Sequence, residues 1–149
     1  MDFLSAKGLV FEMLTAEQAA RITPGTNLAA EPRDTVHLDD DAVKTIGATG
    51  TGVAHCPTSN GRLGAGIARV RDLVDAGARV GIGVDGAASN EGTHLLEDVK
   101  HAVLFARAAG GPRALSVREA LELGTLGGAR VLGREDEIGS IETGKLADL

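Results

Sequence analysis

Two short apolar segments separated by a predicted helix constrain the fold of this chain more than any other feature. Residues 50–55 and 79–84 each have the length of a buried strand. Between them, Ile67, Val70 and Val74 recur three and four residues apart, which predicts a helix. A strand, a helix and a second strand in this order form a parallel βαβ unit. The sequence therefore predicts an α/β protein.

Further helices are predicted on both sides of this unit. Asp39–Asp41 can cap a short helix through Thr45, since carboxylates suit a helix N-terminus. A long helix is expected before the Gly-Gly-Pro at 110–112, and Ser116 with Glu119 forms a capping box that opens the next one. A separate helix is expected over 126–132, and a strand pair over 138–149. The apolar face predicted for the long helix consists of Leu96, Val99, Val103 and Ala106.

Composition narrows the class of protein. The chain has 149 residues and a net charge of −6, with 2% aromatic residues, so neither a phosphate backbone nor stacked bases suit it as partners. Its single cysteine, Cys56, cannot form an internal disulfide, which favours a reducing, cytoplasmic location. No stretch reaches the ~18 apolar residues of a membrane helix. We expect no nucleic-acid or membrane partner.

Asp85 is the main candidate for chemistry. It follows the second predicted strand, and parallel α/β folds place their functional groups at the C-terminal ends of strands. The two loops predicted there are residues 55–66 and 85–92. A carboxylate there can bind a divalent metal ion, accept a proton from metal-bound water and pass it to a leaving amine. The alternative is a turn or helix N-cap aspartate without a catalytic role.

Four ordered segments resemble the amidohydrolase superfamily, in its branch of 8-oxoguanine deaminases, S-adenosylhomocysteine deaminases and triazine hydrolases. The first two begin His55-Cys-Pro-Thr-Ser-Asn60 and Gly81-Ile-Gly-Val-Asp85-Gly. The other two are Thr125-Leu-Gly-Gly-Ala-Arg-Val-Leu-Gly133 and Ile138-Gly-Ser-Ile-Glu-Thr-Gly-Lys-Leu-Ala-Asp148. The resemblance covers about residues 36–149.

The resemblance implies a fold and a set of domains. Residues 34–135 would be the C-terminal part of a (β/α)8 TIM-type barrel, with strands six to eight and their helices. Residues 136–149 would begin a small β-sandwich, and residues 1–33 would be an irregular arm that does not match the family. A complete barrel needs roughly 250 residues, so we expect a fragment.

The resemblance also implies an activity and site residues. The family hydrolyses carbon–nitrogen bonds, here metal-dependent deamination of a cyclic amine such as a purine, pterin or triazine. Asp85 matches the strand-eight aspartate, which binds zinc (or iron) and acts as general acid or base. His55 and Asn60, after strand seven, are expected to support the site or contact the small-molecule substrate.

The departures from the family pattern limit this expectation. The chain has no His-x-His pair, and Asp34 stands where a strand-six histidine is expected, while His37 matches a later one. One aspartate cannot hold a catalytic metal, and His94 and His101 are the remaining histidines considered as ligands. We therefore expect that the isolated chain is not competent alone and self-associates or requires a missing barrel half. The alternative is a non-catalytic fragment or partner subunit.

Two other interpretations follow from short motifs. The segment from Gly81 to Gly86 fits G-x-G-x-x-G, which would indicate an NAD-binding oxidoreductase if a helix opened at its last glycine. His55 next to Cys56 could suggest a thiol nucleophile, but adjacent strand residues point to opposite faces. A buried, inert cysteine is the simpler interpretation.

Overall fold

The computed structural model describes residues 38–146 of the chain. The predicted arm at 1–33, Asp34, His37 and residues 147–149 lie outside the described residues. Between 38 and 146, no helix combines the length and the apolar character needed to cross a membrane.

Nine α-helices and strands follow one another in the described part of the chain. They are α1 (Asp40–Thr49), β1 (Gly52–His55), α2 (Pro57–Leu63), α3 (Val70–Asp75), β2 (Arg79–Ile82), α4 (Ala87–Asn90), α5 (Leu95–Gly110), α6 (Val117–Glu122) and α7 (Gly128–Leu132). A π-helical segment, Leu123–Gly127, joins α6 to α7.

The two strands form a parallel pair, as the sequence predicts. Gly52 lies opposite Arg79 and His55 opposite Ile82. Each strand is shorter than expected. The residues of β2 from Val80 onward are buried, whereas only His55 is buried in β1. The prediction of a buried strand over 50–55 is therefore met only at His55.

Helices α1 and α3 cover the sheet with a small apolar core. Asp39 caps α1 by accepting the Ala42 N–H at 2.7 Å, and the helix continues past the predicted end at Thr45 to Thr49. Gly50, with a φ of 63°, then ends it. The buried residues of this core are Val43, Val70, Leu73 and Val80.

Helix α5 carries the second core on one stripe. Val99, Ala102, Val103 and Ala106 are buried there with Ile82, Leu115 and Ala120. Leu96 is 59% exposed, so its place on the predicted face is wrong. At about 100° per residue it falls on the margin of the stripe. Asp98 is buried instead.

The helix predicted around 126–132 is present as α7, which Gly133 terminates, and the helical backbone is continuous with it from Val117 onward. This continuous helical segment packs on β2 through glycines. A Cβ on Gly81 would lie 2.8 Å from the Gly128 Cα atom, and one on Gly127 would lie 2.5 Å from the Val80 oxygen. Backbone therefore meets backbone, which only glycine allows.

The strand pair expected over 138–149 is not formed in the described part of this segment. Residues 138–146 make turns, and Gly144 has a φ of 95°. The segment is held by the Lys145 ammonium, which donates to the Glu135 carbonyl at 2.6 Å, and by the Leu146 N–H, which donates to Glu137 at 2.9 Å. No strand partner lies beside it among the described residues, and the backbone closes on itself in turns.

Candidate active site

Asp85 lies just beyond the C-terminal end of β2 in a left-handed backbone conformation. Its φ is 64°, a region that costs a non-glycine residue about 1–3 kcal/mol and persists where surrounding contacts fix it. The Ser59 hydroxyl donates to Asp85 Oδ2 at 2.6 Å, and the Gly86 N–H donates to Oδ1 at 2.7 Å. Each carboxylate oxygen therefore has a donor.

These hydrogen bonds keep the exposed Asp85 side chain charged. The bond from Ser59 is the main cause that lowers the pKa of Asp85 below its usual value, followed by those from Gly86 and Ser89. A charged, accessible carboxylate at the carboxyl edge of parallel strands can bind a cation or accept a proton.

The segment 55–66, predicted as a loop, contains α2, which positions Ser59. Pro57 stands in its first turn and Gly64, with a φ of 68°, ends it. Proline at the start and glycine after the end are the sequence signal that could have revealed this helix. Ser59 is buried and is a site residue that sequence reasoning missed. The predicted loop 85–92 likewise contains the short helix α4.

His55 is buried at the end of β1 as a neutral imidazole. Burial lowers its pKa to about 4, against the opposing effect of the Asp98 charge. The residue is 5% exposed, and its Nδ1 atom has no hydrogen-bond partner among the described residues. Near neutral pH this ring can therefore accept or donate a hydrogen bond without carrying charge.

Asn60, the other predicted substrate contact, is half-buried on α2 next to Ser59. Its backbone carbonyl accepts the Ala65 N–H at 2.8 Å, so the residue takes part in closing α2. Its side-chain amide makes no hydrogen bond with any residue between 38 and 146. The donor and the acceptor of the Asn60 amide are thus unused within the described part of the chain.

Ser89 and Asn90 follow Asp85 on α4. The Ser89 hydroxyl donates to the Gly86 carbonyl at 2.9 Å and also helps to lower the pKa of Asp85. Asn90 is buried, and its Nδ2 donates to the Val84 carbonyl at 2.6 Å. Ser89 therefore bonds within the α4 turn, and Asn90 holds the backbone that precedes Asp85.

Asp98 is a second residue that sequence reasoning missed. It is 1% exposed in α5; its Oδ1 accepts the Thr58 N–H at 3.2 Å and its Oδ2 accepts Asn90 Nδ2 at 3.0 Å. An acidic residue next to the apolar face of a predicted helix, beside Val99, was the available signal. A buried carboxyl group needs such partners to offset its desolvation.

The two histidines considered as metal ligands do not share a helix face. His94 precedes α5 and is exposed, whereas His101 lies within α5 and bonds through Nδ1 to the Thr58 hydroxyl at 2.8 Å. His94 lies outside α5, which begins at Leu95, so the two residues are not two turns apart on one helix.

The described residues alone do not fit a catalytic zinc ion. Such an ion takes about three protein ligands, and residues 38–146 contain no group of three His, Cys, Asp or Glu side chains that could hold one. Asp85 is thus a candidate for one ligand position, and its carboxylate is already oriented by Ser59 and Gly86.

Cys56 does not suit nucleophilic chemistry. Burial is the largest effect, with the nearby Asp85 and Asp98 charges, that raises the pKa of its thiol to about 11. The thiolate, which is the reactive form, is therefore scarce at neutral pH. The thiol is half-buried rather than fully buried as predicted.

Two of the glycines at 81–86, Gly81 and Gly83, are explained by packing. Gly81 faces Gly128, and a Cβ on Gly83 would lie 3.1 Å from Cys56 Sγ. The helix that opens after Gly86 has four residues. This leaves the dinucleotide-binding interpretation without support.

The chain matches known proteins over most of its length. A sequence model described as the amidohydrolase family matches residues 18–149 and so begins inside the predicted N-terminal arm. A 5-methylthioadenosine/S-adenosylhomocysteine deaminase of Desulforudis audaxviator is 49% identical, with 76% of this chain and 27% of the relative covered. An isoxanthopterin deaminase of an unknown prokaryotic organism is 46% identical, with the same coverage of both chains.

Solved structures also resemble this chain. An adenosine deaminase from Xanthomonas campestris with bound zinc is 38% identical, with a TM-score of 0.72, over 76% of this chain and 26% of that one. Further matches include an 8-oxoguanine deaminase and triazine hydrolases, so the predicted branch is confirmed. The matched structures are amidohydrolase barrels, and the chain spans about a quarter of the length of these relatives.

Proposed function

The chain belongs to the amidohydrolase family, and we propose that it provides the catalytic aspartate, Asp85, for metal-dependent hydrolysis of a carbon–nitrogen bond. The proposed substrate is a cyclic amine such as a purine, a pterin or a triazine. Relatives named as an isoxanthopterin deaminase and a 5-methylthioadenosine/S-adenosylhomocysteine deaminase support this substrate class.

The observation that carries the proposal is the environment of Asp85. Its carboxylate is exposed, has a lowered pKa, and is fixed by Ser59 and Gly86 at the end of a parallel strand. A group in this state accepts a proton near neutral pH without first losing one. Its fixed position reduces the entropy that a flexible side chain would lose in the transition state.

The neighbouring residues fit supporting roles in the same reaction. His55 is neutral, and its buried ring has hydrogen-bonding capacity left over for an uncharged amine or ring nitrogen. Asn60 offers both a donor and an acceptor from the exposed side of α2. These two residues are the proposed substrate contacts. The proposed location of the protein is the cytoplasm.

The proposed metal is zinc, which can polarise the substrate and lower the pKa of bound water. The described residues do not hold this ion on their own. The ligands besides Asp85 would come from outside residues 38–146, in cis or from a second chain.

A second candidate is a non-catalytic amidohydrolase subunit. The absence of a three-ligand group among residues 38–146 favours it. It predicts a folded chain that retains no metal and hydrolyses no amine, even when the remaining barrel strands are present.

Co-expression with the preceding barrel strands of a deaminase relative tests the choice. Ammonia release from a panel of purine, pterin and triazine amines is measured with zinc present, for the unchanged chain and for Asp85→Asn. We expect release from the complex and a fall of ~10²–10⁴ in rate for the variant, because a general acid/base is removed.

The control is Asp41→Asn, which removes an equal charge from an exposed position in α1. We expect full activity from this variant. Near-normal turnover by the Asp85→Asn complex would contradict the catalytic assignment. A folded complex that retains no zinc and shows no turnover on any substrate would favour the non-catalytic candidate.

A further inference from the structure

Asp98 occupies an unusual place for an acidic residue. It is 1% exposed and lies in a helix whose neighbouring buried residues, Val99 and Ala102, are apolar. Its contacts among the described residues are N–H donors rather than a lysine or an arginine. Burial of a carboxyl group is costly, and an apolar residue of similar volume would pack there at less expense. The burial of Asp98 therefore calls for an explanation beyond packing.

The first bond fixes the start of α2. Cys56, at the N-cap, has no side-chain capping bond, and Asp98 Oδ1 instead accepts the Thr58 N–H at 3.2 Å. Ser59 is the next residue, and its hydroxyl bonds to Asp85. A shift of the first turn of α2 would therefore move the donor that holds Asp85 Oδ2.

The second bond fixes the end of β2. Asp98 Oδ2 accepts one hydrogen of Asn90 Nδ2 at 3.0 Å, and the same nitrogen donates to the Val84 carbonyl at 2.6 Å. Val84 directly precedes Asp85, whose left-handed φ of 64° requires support. Without its acceptor on Asp98, the Asn90 amide would be free to turn away from Val84.

We infer that Asp98 is the positioning residue for Asp85. Its buried carboxyl group holds the first turn of α2, which carries the Ser59 donor, and holds the Val84 backbone through Asn90. The inference rests on the proposed role of Asp85. Asp98 acts through Thr58 and Asn90 and touches neither substrate nor metal.

Hydrogen exchange followed by mass spectrometry on the full chain tests this without substrate or metal. In Asp98→Asn, one of the two carboxylate oxygens is replaced by an NH2 group, which donates and does not accept. The N–H group of Thr58 or of Asn90 that bonded to this oxygen then loses its acceptor. We expect exchange to accelerate at least about tenfold in residues 57–63 and 83–90, with no change over 117–132. Glu97→Gln is the matched control, because it removes the same charge from the same turn of α5 at an exposed site.

The exchanged pair Asn90→Asp with Asp98→Asn separates positioning from general stability. Asn at 98 can accept from Thr58 and donate to Asp at 90, but Asp at 90 cannot donate to the Val84 carbonyl. We expect slow exchange to return in residues 57–63 while residues 83–90 stay fast.

Two results would overturn the inference. One is uniform acceleration that includes 117–132, or no acceleration, in Asp98→Asn. The other is an exchanged pair that leaves 57–63 as fast as in the single variant or fails to fold. Because ammonia release is not measured, a failure here is distinct from a failure of the proposed hydrolase function.

Discussion

The Ser59 hydroxyl donates a 2.6 Å hydrogen bond to Asp85 across 26 residues of sequence, and this contact joins α2 to the end of β2. It is the main cause of the lowered pKa of Asp85. The pKa of the candidate catalytic carboxylate thus depends on α2, the helix that follows β1.

Ser59→Ala is expected to raise the pKa of Asp85 toward its usual range. The carboxylate then takes up its proton at higher pH, so the stability that its charged form contributes is lost earlier as the pH falls. A pH titration of the Asp85 carboxyl carbon by NMR measures the change. Ser140→Ala is the control, since Ser140 bonds to Glu142 and Lys145 rather than to Asp85. An unchanged Asp85 titration in Ser59→Ala would contradict the assignment.

Gly81→Ala is expected to destabilise the chain by about 1–3 kcal/mol, because the added methyl group meets the backbone of Gly128 at 2.8 Å. Gly128→Ala is the matched control: its Cβ would meet nothing within 4 Å, and alanine favours a helix by about 0.5–1 kcal/mol. Urea unfolding of both variants measures the two effects. Equal stability of the two variants would show that α7 does not pack on β2 through backbone contact.

Glu119 makes the stability of the chain depend on pH. Its hydrogen bonds to Ser116, with that from Arg71, lower its pKa to about 2. The charged form therefore stabilises the fold fully above the ordinary glutamate value of 4.5, and this contribution is lost as the pH falls toward 2. We expect Glu119→Gln to cost roughly 1 kcal/mol near neutral pH, and less in acid.

Denaturant unfolding at several pH values measures this difference. Glu122→Gln is the control, because Glu122 makes only an exposed ion pair with Arg130 and should contribute little at any pH. A Glu119→Gln deficit that stays constant from about pH 6 to about pH 2 would contradict the role of the capping box.

The described part of the chain is expected to self-associate when no other barrel strands are present. Its two-stranded sheet leaves both outer edges without a strand partner among residues 38–146, and unpaired edges favour pairing between chains. Leu63, Leu96 and Leu104 add exposed apolar surface. Sedimentation velocity over a range of concentrations tests this. A compact monomer with cooperative unfolding would contradict it.

The sequence by itself determined the features that depend on neighbours a few residues apart. The capping box of Ser116 and Glu119, the end of the long helix at Gly110 and the order of β1, α3 and β2 follow from local hydrogen bonds and side-chain periodicity. The position of Asp85 after a strand belongs to the same class. These features were predictable because their energies are contained within one or two turns of chain.

Only the tertiary structure decided which side chains meet at the site. Ser59 reaches Asp85 across 26 residues, and Asp98 reaches Thr58 across 40. Hydrophobicity alone predicts that Leu96 is buried and Asp98 exposed, whereas Leu96 is exposed and Asp98 is buried. Hydrophobic periodicity ranks residues by their own character, whereas burial depends on which element packs opposite and which donors it presents. The carboxyl group of Asp98 is buried because α2 and α4 bring two N–H donors to it, and no pattern within α5 contains that information.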